Sequence, residues 1–143
     1  MMISRRELDD EAAMLMLEAA HAKALEIGVP QNIAVVDAGG RLLAFRRMDG
    51  AKFLSVETAI AKAVSSTSVA APSGGASPDM GTLIGITTGG AFTNLKGGLP
   101  VMLDGRVAGA IGIGSGSPDE DVTVARAGVE ALMAALDEAS GEG

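Results

Sequence analysis

Histidine narrows the chemistry of this chain more than any other residue type, because His21 is the only histidine and cysteine is absent. Two-histidine and thiolate metal sites are therefore excluded within one subunit. Helical spacing places His21 on one stripe with Met14, Leu17 and Leu25. Two interpretations stay open: a core or interface histidine with hydrogen-bonded ring nitrogens, which spacing alone favours, and an axial ligand to haem iron, which binds imidazole in an apolar wall.

Charged residues near predicted strand ends form a second candidate set. Arg46 and Arg47 alternate along one strand, so one of them should point toward a covered face and need a carboxylate or a bound anion. Lys96, Gly97 and Gly98 could form a backbone nest with a cation beside it, an arrangement suited to binding a carboxylate. In an enzyme that acts on a carboxylate-bearing substrate, Arg47 or Lys96 would bind the substrate carboxylate, and Asp37 or Asp49 would act as the general acid or base. Surface solvation explains the same charges without any function.

The segment Gly112–Gly116 follows a predicted strand and precedes a predicted helix, as a phosphate-binding loop does. The next helical turn carries Asp119, Glu120 and Asp121, which would repel a pyrophosphate. The glycines are therefore interpreted as allowing a tight connection and close packing.

Hydrophobic periodicity and turn residues divide the chain into helices and strands. Helices are predicted from a Ser4–Glu7 capping box to Ile27, over Lys52–Val69, over Asp79–Thr87, and from a second capping box at Ser117–Glu120 through Leu136. The core face of the second helix is expected to carry Phe53, Val56, Ile60, Ala63 and Val64. Strands are predicted over Asn32–Asp37, Leu42–Arg47, a segment from Phe92, Leu99–Leu103 and Val107–Ile113.

The predicted element order is α-β-β-α-α-β-β-β-α. Tight turns join consecutive strands, as in the Asp104-Gly105 hairpin, so the sheet should be antiparallel with helices packed on it. The fold class is therefore α+β, with five strands expected.

Length and composition bound the remaining possibilities. A chain of 143 residues is expected to form one domain over 1–143, with a polar tail at 138–143. Net charge −7 and only three aromatic residues disfavour nucleic-acid binding. The charged N-terminus lacks the pattern of a secretory signal, and no apolar run reaches the length of a membrane span, so a cytoplasmic location is expected.

Three segments together resemble the GlcG/HbpS-like family, which includes the C-terminal domain of PduO-type adenosyltransferases. They are Ile33–Ala51, Ala59–Ala63 and Gly97–Asp121, the last with Gly-Gly-Leu-Pro-Val, Asp-Gly and Ala-Gly-Ala-Ile-Gly. The resemblance implies a profilin-like sandwich of helices around a five-stranded antiparallel sheet. It also implies homo-oligomers, tetramers or octamers. In PduO-type relatives a histidine of the first helix binds haem, which for this chain implies His21.

The leading hypothesis is an oligomeric haem- or tetrapyrrole-binding protein, in haem storage, sensing or degradation. His21 would bind the iron, Met14, Leu17 and Leu25 would line the ring, and an arginine would pair with a propionate. One alternative is a catabolic enzyme that acts on a carboxylate-bearing small molecule. Another is a non-catalytic accessory protein.

Overall fold

A computed structural model describes residues 1–141. Four helices and four strands follow one another as α1 (Asp10–Ile27), β1 (Asn32–Asp37), β2 (Leu42–Arg47), α2 (Ser55–Val69), α3 (Pro78–Thr87), β3 (Gly98–Leu103), β4 (Arg106–Gly114) and α4 (Pro118–Gly141). Within residues 1–141 no helix combines the length and the hydropathy that a membrane span requires.

The four strands form one antiparallel sheet in the order β2-β1-β4-β3. Helices cover both faces of the sheet. Successive residues of β1 point to opposite faces and therefore contact different helices. Val35 packs into the main core with α1 and α4, whereas Val36 packs against Ala63 of α2. The α+β class and the antiparallel sheet with flanking helices are therefore confirmed.

The expected fifth strand, beginning at Phe92, is wrong. The segment between α3 and β3 has no ladder partner, because side chains satisfy its backbone instead. The amide of Thr93 donates to Ser65 Oγ (2.9 Å), and the Ser73 hydroxyl donates to the Leu95 carbonyl (2.7 Å). Asn94 exchanges two hydrogen bonds with the backbone of Ala76. The segment is thereby held as an irregular connection.

Helix α1 begins at Asp10, five residues later than a capping box with Ser4 as its N-cap predicts. Asp9 is the actual N-cap, since its carboxylate accepts a hydrogen bond from the Ala12 amide at 2.8 Å. The preceding residues run along the sheet instead, where the Leu8 amide donates to the Ala108 carbonyl and the Leu8 side chain is buried. Burial of Leu8 on β4 thus competes successfully with a longer helix.

Apart from Lys62, the buried residues of helix α2 are small, and its large apolar residues are not buried. Phe53, expected in its core face, precedes the helix and is 74% exposed. Ala59 and Ala63 are fully buried, because the helix backbone lies directly on the sheet. A side chain at Gly112 of β4 would collide with the carbonyl of Ala59. Glycine at this position therefore sets how closely α2 approaches β4.

Helix α4 begins as its capping box predicts. The Glu120 amide donates to Ser117 Oγ (3.2 Å), and the Ser117 amide donates to Glu120 Oε1 (2.8 Å). The helix also continues through part of the expected polar tail, to Gly141. Residues 142–143 of that tail lie outside the described residues.

Candidate functional site

His21 lies on α1, half-buried, in contact with the end of β2. Its Nδ1 atom is 2.8 Å from Nη1 of Arg46. Arg46 also makes two hydrogen bonds to the carboxylate of Glu18, at 2.8 and 3.2 Å. Glu18 precedes His21 by three residues, which places both on one side of α1. The result is a Glu-Arg-His cluster joining α1 to β2.

The Glu18 carboxylate is held in its charged form by this cluster. The hydrogen bond from Arg46 is the largest cause that lowers the pKa of Glu18, and the positive charge of Arg46 adds to it. Glu18 was not among the site residues predicted from the sequence. The signal was its position one helical turn before the only histidine, together with the prediction that one arginine of β2 needs a carboxylate or a bound anion. Arg46 is that arginine, whereas Arg47 is exposed.

An open cleft of about 370 Å³ lies beside the cluster. Its lining residues come from α1 and from the end of β2 with the following turn: His21, Leu25, Arg46, Arg47, Met48 and Asp49. Two charged residues among the predicted site residues, Arg47 and Asp49, therefore line this cleft together with His21.

The apolar stripe predicted around His21 divides between surface and core. Met14 and Leu25 are 43% and 62% exposed, so they flank His21 on the open side of α1. Leu17 is 1% exposed and packs in the main core. Of the three, only Leu25 lines the cleft beside His21; Met14 is exposed on the same helix but is not part of the cleft lining.

A second group of charged residues is buried at the same end of the sheet, between α2 and α4. Lys62 Nζ donates to Asp121 Oδ2 (3.0 Å) and to the carbonyl of Ile113 (2.7 Å). The two side chains are 5% and 3% exposed. Burial raises the pKa of Asp121, and the hydrogen bond from Lys62 partly opposes that rise. From the sequence, Asp121 was interpreted only as a charge in the first turn of the last helix, and its pairing with Lys62 was not predicted.

The Lys62–Asp121 pair forms the floor of a cleft of about 270 Å³ that is lined also by Lys96. Gly97 makes room for the pair: it has φ +126°, and a Cβ there would lie 3.1 Å from Lys62 Nζ. The amide of Gly98 already donates to Ser73 Oγ at 2.8 Å. Lys96 thus lines this cleft, Gly97 lies against its buried pair, and the Gly98 amide is engaged in the fold.

Asp37 lies at the far end of the sheet from the other predicted site residues. It pairs with Gly109, whereas the opposite end of β1 pairs with Arg47 and Gly114. Its Oδ1 accepts hydrogen bonds from the amides of Gly39 and Arg41, at 2.9 and 3.0 Å. Asp37 therefore stabilises the β1–β2 hairpin, and the structure does not bring it together with Asp49, Arg47 or Lys96.

The amides that follow Gly112–Gly114 are occupied by carboxylates of the chain itself. The Gly116 amide donates to Asp121 Oδ1 (3.0 Å), and the Ser117 amide donates to Glu120. A phosphate bound on these two amides would have to displace both carboxylates. The geometry agrees with the interpretation of these glycines as packing residues.

Comparison with known proteins places the chain among relatives of the predicted kind. It is 36% identical to an uncharacterized 15.0 kDa protein from the dhaT-dhaS intergenic region of Citrobacter freundii, over 83% of this chain and 87% of that protein. It is 31% identical to the protein GlcG of Escherichia coli K12, over 74% of this chain and 80% of GlcG.

Solved structures share the fold. A double mutant of HbpS from Streptomyces reticuli superposes with a TM-score of 0.82 and 31% identity, over 92% of this chain and 90% of that one. A PduOC:heme complex superposes with a TM-score of 0.78 and 25% identity, over 87% and 94% of the two chains. The family model described as haem degrading protein HbpS-like matches residues 8–130. The chain therefore belongs to the HbpS-like family, as its sequence motifs predicted.

Proposed function

We propose that this protein binds haem, or a related tetrapyrrole, in the cleft between α1 and the end of β2. The observation that carries the proposal is the position of the only histidine beside two arginines, Arg46 and Arg47, at an open cleft. Imidazole is a common axial ligand of haem iron, and guanidinium groups pair well with carboxylates such as propionates. A family relative has been crystallised as a PduOC:heme complex, which supports the same ligand.

Because Arg46 is hydrogen-bonded to His21, binding of haem iron by His21 requires a change in the tautomer of His21 and in the position of Arg46. Arginine can only donate, so Nδ1 of His21 accepts, and the neutral ring then carries its proton on Nε2. Ligation through Nε2 requires the proton on Nδ1 instead. Arg46 would then turn away from the ring and toward a propionate. Glu18 is the neighbouring acceptor for the Nδ1 proton, in the carboxylate–histidine arrangement typical of metal sites.

The open shape of the cleft implies that a planar macrocycle would be covered on one face by this subunit. Exposed Met14 and Leu25 would contact that face, with Leu17 packed behind them. Asp49 stands against the proposal as a negative charge in the cleft, and Arg47 offsets it. The other face of the ligand would need a second subunit.

A homo-oligomer, a tetramer or octamer, is therefore part of the proposal. Helix α3 supports it, because Gly81 is the only buried residue of its ten. Met80, Leu83 and Ile86 recur at helical spacing and are 52%, 58% and 74% exposed. An exposed apolar stripe of this kind is typical of an interaction surface. We assign it to a second copy of this chain.

The test is a hemin titration followed by absorbance, on wild type and on His21→Ala side by side. Saturation near one haem per subunit, with a Soret band that is lost or shifted in the variant, is expected. Arg46→Gln should weaken binding, while Arg41→Gln, the same charge change at the far hairpin, should not. Absence of saturable binding would refute the proposal. An unchanged spectrum in His21→Ala would refute the role of His21.

A further inference from the structure

The cleft whose floor is the Lys62–Asp121 pair, the Lys62 cleft, is positively charged although the protein is acidic. The chain has net charge −7 and only four lysines, at positions 23, 52, 62 and 96. Three of them, Lys52, Lys62 and Lys96, line this one cleft, and Asp121 is the only carboxylate among the described residues that line it. With all four groups ionised, the lining carries about two positive charges in excess. Such a concentration of cations on an acidic protein attracts anions.

The buried lysine has a donor to spare. An ammonium group has three protons, and Lys62 uses two, on the Ile113 carbonyl and on Asp121. Because the Lys62 side chain is 5% exposed, its position is fixed by these contacts before any ligand arrives. A fixed and desolvated cation binds an anion at lower entropic cost than a mobile surface lysine.

Hydroxyl groups complete the polar lining. Ser55, Thr58 and Ser115 all border the cleft. Ser115 Oγ accepts a hydrogen bond from the Lys52 amide at 2.9 Å, so its own proton can be donated to a ligand. This contact also fixes the backbone of Lys52 at the rim. The cleft thus combines a rigid cation, two exposed cations and hydroxyl donors.

We propose that this cleft is a second binding site, for a compact dianionic oxyanion: a phosphate group or a pair of carboxylates. The two excess charges match a dianion, and a cleft of about 270 Å³ is below the usual range for drug-sized ligands. The site is separate from the His21 cleft, since α1 lines that cleft and contributes nothing to this one.

The proposal is tested by calorimetric titration at low ionic strength with inorganic phosphate, malonate and acetate. Saturable binding of phosphate or malonate at one per subunit is expected, with acetate several-fold weaker. Preference between the two dianions distinguishes a phosphate site from a dicarboxylate site. Lys52→Gln and Lys96→Gln should each weaken binding by about fivefold, the effect of one charge near the rim.

Lys23→Gln is the matched control, because it removes the fourth lysine, which lies on α1 and contacts Glu26. Its affinity should stay within about twofold of wild type, and His21→Ala should also leave anion binding intact. Two results overturn the proposal. One is no saturable binding of either dianion; the other is an equal loss in Lys23→Gln and Lys52→Gln, which would mean that only overall charge matters.

Discussion

Replacement of Lys62 by methionine tests the buried pair, because methionine keeps the length of the side chain and removes its charge. Lys62→Met leaves the Asp121 carboxylate buried without its counter-ion. Asp121→Asn likewise leaves the Lys62 ammonium group buried without a negative partner. Loss of one partner of a buried pair costs about 3–5 kcal/mol. In the double variant neither charge remains, and the hydrogen bond from residue 62 to the Ile113 carbonyl is lost, about 1 kcal/mol.

The double variant is therefore expected to be more stable than either single variant. The measurement is urea unfolding followed by far-UV circular dichroism, since the chain has no tryptophan or tyrosine to report by fluorescence. Protein concentration must be held equal, because association would change the apparent stability. If the double variant loses the sum of the two single losses, the two residues are not coupled and the reasoning fails.

The pH dependence gives an independent check on the same variants. Burial raises the pKa of Asp121 in the folded protein above the ordinary value of an aspartate. A raised pKa means that the carboxyl favours folding when it is protonated, and that this contribution is lost as pH rises through the folded-state pKa. Lys62→Met removes an interaction that lowers the pKa, so it should raise the pKa further. The deficit of the variant at neutral pH should therefore shrink as the solution is made acidic, whereas a pH-independent deficit would contradict the assignment.

Two further predictions concern packing and assembly. Gly112→Ala should cost at least about 3 kcal/mol in urea unfolding, because its Cβ would meet the Ala59 carbonyl, while Gly75→Ala, with nothing within 4 Å, should change stability by less than about 0.5 kcal/mol. Equal effects would show that α2 can move away from the sheet. Ile86→Glu should reduce the oligomer measured by light scattering, since it places a charge in the exposed stripe of α3; an unchanged mass would exclude this stripe as the interface.

Local signals in the sequence located most elements. Short apolar runs bounded by turn residues located β1 and β2 to the residue, and the capping box at Ser117 located the start of α4. These signals work because the hydrogen bonds concerned join residues only a few positions apart. The equally plausible box at Ser4 failed, because Leu8 gains more by burial on β4, through a contact with Ala108 that is about 100 residues away in the chain.

Part of the candidate site could also be predicted from the sequence. His21 stood out as the only histidine, and an arginine on β2 was expected to need a carboxylate partner or a bound anion. That the partner is Glu18, and that Arg46 and not Arg47 takes it, depends on how α1 lies across β2. The helical stripe likewise contained Leu17, but only the docking of α1 shows that Leu17 faces the core.

The sequence by itself determined the family, the α+β class and the single histidine, because motifs and residue types are local properties. The tertiary structure alone decided that the sheet has four strands, that Asp37 belongs to a hairpin, and that three lysines meet at one cleft. Those lysines come from the approach to α2, from α2 itself and from the loop before β3. Their meeting depends on close packing of α2 over glycines of the sheet, and no pattern within one segment encodes such a contact.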